Sequence, residues 1–314
     1  MAETSADRSR TTLRFMAAPT DVMHPEAGGV QGGRLLEWID KSAYACAAQW
    51  AQTYCVTGFL GDVEFGPAIP SGSIVEVRSR LASTGRSSMQ VISEIHSADP
   101  KVGDYTRNAV CFATFIAKNA DKTASQPVEA FTPTTPVEQQ SAGAIATRLQ
   151  AGKAVKELLE GSDSSQDIGA PRTVLRFMAK PTDINWGGNV HGGKAMEWVD
   201  EASSACAGAF VGGPVAPMHW EGVRFLKPMH IGDVIEVDAR VVGADEDAVD
   251  LYVVLRAGSP HGGEKRVALT ATTRYRAVNG EVPGQLAVDT RVQEKAARVR
   301  ELIAPYAMQP LWES

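Results

Sequence analysis

The chain carries one stretch of text twice, about 160 residues apart. Residues 12–21 read TLRFMAAPTD and residues 173–183 read TVLRFMAKPTD; the LRFM blocks start at Leu13 and Leu175, an offset of 175 − 13 = 162. VQGGRLLEWID (Val30 to Asp40) matches VHGGKAMEWVD (Val190 to Asp200) at 200 − 40 = 160, and GSIVEVRSRL from Gly72 matches GDVIEVDARV from Gly232 at the same offset. The two-residue difference falls around His24-Pro25-Glu26, where the first copy is longer. A period this long is a domain, not a solenoid repeat. The chain is therefore expected to be a duplicated, fused unit. Expected boundaries are 1–136 for the first domain, 137–171 for a packing helix and polar linker, and 172–314 for the second domain with a C-terminal helix, about Val288 to Tyr306.

Composition limits what such a pair can be. With 314 residues, 44% hydrophobic and 22% charged, the chain is of globular type. A net charge of −6 argues against nucleic acid as the main partner, because phosphate binding needs concentrated basic surface. No run approaches the ~18 apolar residues that span a membrane. MAETSADRSR lacks an apolar core behind a basic stretch, so no secretory signal is expected and a cytoplasmic location is. The four cysteines form no CxxC pair and no disulfide framework. The histidines show no metal-ligand spacing, so no metal is expected.

Within each copy the pattern gives a short strand ending at Pro19 or Pro181, a loop to Gly-Gly, and an unusually apolar helix, Arg34 to about Tyr54 and Lys194 to about Phe210. A helix so poor in polar positions is expected to be buried on most sides. Four segments with period-2 alternation follow, DVEFGPAI, SIVEVRSRL, SMQVISEIH and NAVCFATFIA in copy one, with GVRFLKPM, DVIEVDARV, AVDLYVVLRA and RVALTATTRYRA in copy two. The expected class is α+β, an antiparallel meander wrapped around one central helix.

The order of elements, and the motif N-x5-H-G-G-x6-D from Asn185 to Asp200, resemble the hotdog-fold acyl-CoA thioesterases. The tandem arrangement is similar to the double-hotdog acyl-CoA hydrolases of the cytosolic brain type. The resemblance implies an acyl-CoA substrate, no separate cofactor because coenzyme A is part of the substrate, and a homotrimer of double-hotdog chains.

Thioester hydrolysis needs a base or nucleophile and donors for the developing oxyanion. Asp40 and Asp200, each within an apolar helix, are candidate bases or nucleophiles. A helix beginning with Gly-Gly offers backbone N–H groups, here Gly192 with Gly193, and Gly32 in copy one. Asn185 could orient water or the thioester, with Asn189 and His191 supporting substrate binding. Gly192 and Asp200 are 8 residues apart, ~12 Å on a helix, too far to act on one carbonyl. The expectation is that Asp40 serves with Asn185, His191 and Gly192, and Asp200 with the Met23, Gln31 and Gly32 region. Met23 stands where copy two has Asn185, and Gly29 where it has Asn189, so the Asp200 set is expected to be degraded. Glu37, Glu197, Trp38, Trp198, Cys46 and Cys206 are expected to be structural, and Arg86 is a weak candidate for coenzyme A phosphates. Two alternatives remain: a hotdog enoyl-CoA hydratase or dehydratase, whose D-x-N-P-x-H pattern is broken here because Trp186 and Gly187 follow Asp183-Ile184-Asn185 and His191 comes too late, and a non-catalytic acyl-thioester-binding scaffold, to which the degraded first copy points.

Overall fold

The computed structural model describes residues 8–23, 28–159 and 171–278, with four isolated positions beyond; side chains of 151–159 are not described. The expected C-terminal helix lies almost wholly outside the described residues, as do His24, Pro25 and Glu26. The chain divides into two compact units at Thr147–Arg148.

The first unit holds strands β1 (Arg10–Met16), β2 (Cys55–Phe65), β3 (Ile74–Thr84), β4 (Ser88–Ala98) and β5 (Thr106–Ala117), and helix α1 (Gly32–Ala51). They form an antiparallel sheet in the order β1-β3-β4-β5-β2. α1 lies on one face. Alternation sends Val75, Val77, Ser79 and Leu81 of β3 to the helix side, all buried. Ser42 of α1 donates to the Val77 carbonyl at 3.1 Å and accepts from Ser79 at 2.8 Å. Ala43, Cys46, Ala47 and Trp50 pack with Leu81, Met89, Val91, Ala113 and Phe115 in the core. The small residues let helix and sheet approach closely. This is why α1 reads as apolar nearly all round.

Helix α2 (Pro136–Leu159) follows. Its start is a capping box. Thr135 accepts from the Glu138 N–H at 3.2 Å, Glu138 accepts from the Thr135 N–H at 3.0 Å, and Pro136 occupies the first helical position. Glu138, Ser141 and Ile145 are buried along one face, at spacings of three and four residues.

The second unit repeats the plan with β6 (Arg172–Met178), α3 (Gly192–Val211), β7 (Val215–Phe225), β8 (Val234–Ala244), β9 (Ala248–Gly258) and β10 (Arg266–Ala277). Its sheet order is β6-β8-β9-β10-β7, all antiparallel. Each unit is thus the expected sheet curled on a helix. The expected second strands are corrected. They begin at Cys55 and Val215, not at Asp62 and Gly222, and end at Phe65 and Phe225 before the Gly66 and Leu226 turns. Both helices also begin two residues earlier than expected, so Gly32-Gly33 and Gly192-Gly193 form their first turns.

The shared PTD text sets the helix entry in each unit. Pro19–Asp21 and Pro181–Asp183 are single 3-10 turns. The Asp21 carboxylate accepts from the Ala18 N–H at 2.8 Å, and Asp183 from Lys180 at 2.7 Å. The carbonyls of the same two aspartates accept the N–H of Gln31 at 3.1 Å and of His191 at 2.8 Å, the residues just before the helices. Trp38 stacks on Phe15 with ring centroids 5.2 Å apart, and Trp198 meets Phe177 edge-on at 4.9 Å. The repeated LRF and EW text is therefore packing between strand and helix.

Candidate active site

Asp40 and Asp200 occupy the same place on α1 and α3, and each residue is 4% exposed. A buried carboxylate needs hydrogen bonds to offset lost hydration. The two units supply them differently. In the first, Thr57 of β2 donates to Asp40 Oδ1 at 2.8 Å. In the second, position 217 is proline, which has no donor, and the phenol of Tyr275 on β10 donates to Asp200 Oδ1 instead. Thr57 faces Phe115 across β2 and β5, and Pro217 faces Tyr275 across β7 and β10. The hydroxyl has moved from one member of a cross-strand pair to the other. Burial first, then the Asp200 charge, raises the Tyr275 phenol well above its ordinary range. Thr57 was missed from the sequence, although its pairing with Pro217 at the repeat offset is a visible break in the match.

The neighbours of the two carboxylates differ as well. Lys41, next to Asp40, pairs with Glu37 at 2.8 Å, and Arg34 bridges Glu37 and Asp21. The position after Asp200 is Glu201. Its carboxyl is raised by burial and then by the charges of Glu197 and Asp200. Glu197 pairs with Lys194 at 2.6 Å. Glu37, which is buried, and Glu197, which is half-buried, are therefore ion-pair partners along their helices.

At the start of α3, His191 is the N-cap, and its Nδ1 accepts from the Gly193 N–H at 3.0 Å. That bond occupies the Gly193 amide, which was expected to meet substrate. The Gly192 N–H has no acceptor within the helix. Gln31 precedes α1 without a side-chain cap, so the Gly32 end is built differently. The Asn185 side chain closes its own loop. Oδ1 accepts from the N–H of Gly187 at 2.7 Å and of Asn189 at 3.1 Å, while Nδ2 donates to the Val190 carbonyl at 3.4 Å. With its oxygen taken by backbone and one amide hydrogen given to Val190, Asn185 can offer a substrate or water only its second amide hydrogen. Asn189 Oδ1 accepts from His230 Nδ1 at 3.0 Å. Met23, the counterpart of Asn185, is 47% exposed. Trp186 is exposed beside the His191 ring, 5.9 Å between centroids.

All four cysteines are free and buried. Among the described residues no cluster of three or more His, Cys, Asp or Glu could hold a metal, and no helix is long and apolar enough to cross a membrane.

A sheet wrapped on a helix with a buried carboxylate, built twice, defines the hotdog class. The model of the thioesterase superfamily matches twice, at residues 27–103 and 187–261. The acyl-CoA thioester hydrolase YciA of Escherichia coli K12 is 32% identical over 111 residues, 34% of this chain and 84% of that protein. The acetyl-coenzyme A thioesterase of Mus musculus is 26% identical over 268 residues, 78% of this chain and 48% of that protein. The crystal structure of an acyl-ACP thioesterase from Bacteroides thetaiotaomicron superposes with a TM-score of 0.56 at 12% identity, covering 87% of this chain and all of that one, a likeness of fold. The chain belongs to the thioesterase superfamily. It spans about half the length of the first curated relatives it matches.

Proposed function

We propose that the chain hydrolyses acyl-CoA thioesters to free acid and coenzyme A, using Asp40 as base or nucleophile. The observation that carries this is the buried Asp40 carboxylate held by Thr57 at 2.8 Å in a member of the thioesterase superfamily. As base, Asp40 takes a proton from water while the water oxygen attacks the thioester carbonyl. As nucleophile, its oxygen attacks directly and water later cleaves the anhydride. In either route the C–S bond breaks and the coenzyme A thiolate leaves; with a pKa of ~8.5, by analogy with cysteine, it needs little protonation. Asn185 donates from Nδ2, and the Gly192 N–H binds the developing oxyanion.

Asp200 sits 8 residues after Gly192 on the same helix, ~12 Å along its axis, too far to act with that donor on one carbonyl. Asp200, tied to a neutral phenol and followed by Glu201, belongs to the degraded set. The same reading assigns a homotrimeric, cytoplasmic protein that needs no cofactor beyond its substrate.

The test is thiol release from acyl-CoAs of graded chain length. Asp40→Ala should abolish turnover, and Asp200→Ala should keep much of it. Equal losses would remove the asymmetry. No release by the wild-type chain from any acyl-CoA would favour the scaffold alternative.

A further inference from the structure

We propose that His230 is a positioning residue for Asn185, acting through Asn189. This rests on the assignment of Asn185 as the donor in the proposed site.

The chain of contacts is short and wholly within the second unit. Asn185 is gripped by Asn189 at two points. The Asn189 N–H donates to Asn185 Oδ1 at 3.1 Å, and the Asn189 carbonyl accepts from the Asn185 N–H at 2.7 Å. The orientation of the Asn185 amide therefore follows the position of residue 189. The Asn189 side chain is fixed in turn by His230, whose Nδ1 lies 3.0 Å from Oδ1. A carbonyl oxygen only accepts, so Nδ1 carries the proton in this bond.

His230 is itself held. Its backbone N–H donates to Asp233 Oδ2 at 2.9 Å, and Arg266 donates to the same carboxylate oxygen at 2.8 Å. The loop stays attached without the imidazole, because Val190 N–H donates to the Met229 carbonyl at 2.9 Å beside the β-bridge of residues 189 and 230. Removing the ring unties the side chain of residue 189, whose own N–H and carbonyl are committed to Asn185, and so loosens the residue that holds the Asn185 amide.

The first unit serves as an internal control. The positions of Asn185, Asn189 and His230 are occupied by Met23, Gly29 and Pro70. The backbone bond persists, Val30 N–H to the Ile69 carbonyl at 2.9 Å. Gly29 lies so close to Ile69 that an added Cβ would come within 2.6 Å of its carbonyl oxygen. No side chain can be placed there, so the buttress cannot form. All three members are present in one unit and absent in the other, as expected of parts serving a single purpose. A loop that needed the buttress merely to fold would need it in both units.

The experiment uses the full chain and acyl-CoA hydrolysis, resolving kcat from KM, with His230→Ala, His230→Asn, Asn189→Ala, the His230→Ala/Asn189→Ala double variant and Asn185→Ala. An asparagine Nδ2 occupies the place of the histidine Nδ1 and can donate in its stead. His230→Ala is expected to lower kcat about ten- to hundredfold, the range for a misplaced catalytic group, with KM within about twofold of wild type. His230→Asn should restore most of it. Asn189→Ala should match His230→Ala, and the double variant should be no worse than either, since both break one path. Wild-type kcat in His230→Ala beside an inactive Asn185→Ala overturns the positioning role and leaves the site assignment standing. A loss in His230→Asn equal to that in His230→Ala, or an effect confined to KM, overturns it as well. Full activity in Asn185→Ala overturns the site assignment itself.

Discussion

Thr57→Val is the sharpest single perturbation of the proposed site. Valine keeps the branched shape that suits β2 and removes only the hydroxyl that donates to Asp40 Oδ1 at 2.8 Å. A hydrogen bond to a charged group contributes about 1.5–3 kcal/mol, and the buried carboxylate that loses it is left short of a donor. Were the whole of that lost from the transition state, kcat would fall about 10- to 150-fold, at 1.36 kcal/mol per decade. The matched control is Tyr275→Phe, which removes the donor to Asp200. Both variants should lower the urea midpoint at unchanged slope, because each removes one donor from a buried carboxylate. Only Thr57→Val should lower kcat in the thiol-release assay. An equal kcat loss in Tyr275→Phe, or a stability loss in Thr57→Val with kcat untouched, would refute the assignment of Asp40 as the working carboxylate.

Two predictions concern pH. Burial raises the thiols of Cys46 and Cys55 to about 12 each and holds the Tyr275 phenol well above its usual range. A folded pKa above the unfolded one gives stability that is complete below the unfolded value and lost as pH rises toward the folded one. Stability should therefore fall from about pH 8.5 upward, read as a declining urea midpoint; the native thiols should react with a disulfide reagent only at the rate of unfolding. A flat midpoint up to pH 11 would contradict this. Glu138 is raised by burial, but the N–H groups of Thr134 and Thr135, the Thr134 hydroxyl and Arg10 outweigh that and hold it at about 2. A lowered carboxylate stabilises above its unfolded value, about 4.3, and loses that contribution as pH falls toward 2. Glu138→Gln should flatten the acid limb of the stability profile in that window; an unchanged limb would refute the role given to the capping box.

The repeat, the buried helix and most strands were legible because each follows directly from a physical pattern. β10 runs from Arg266 to Ala277, the bounds that the alternation gave. β2 and β7 were read seven residues late. The cause is local chemistry that imitates a turn, Gly58 and Gly61 in β2 and Pro217 in β7. Gly61 is there for packing, since a Cβ would come within 2.4 Å of the Phe112 ring. Asp40 and Asp200 stood out as charges inside apolar helices. Thr57 did not, because a threonine in a strand is an ordinary β-former. A loop-capping role for Asn185 could be read from its place before the helix, but the partners of its Oδ1 could not. They depend on the backbone of Gly187 and Asn189 folding back, which no spacing rule reports.

The exchange of Thr57 and Phe115 for Pro217 and Tyr275 constrains how the second half could regain an Asp40-like setting. Restoring threonine at 217 alone would leave Asp200 bound to the phenol, while trimming Tyr275 to phenylalanine alone would leave the acid with one donor fewer. Each route begins with a step that gains nothing or costs stability, so on the proposed reading positions 217 and 275 must change together before Asp200 acquires an Asp40-like setting.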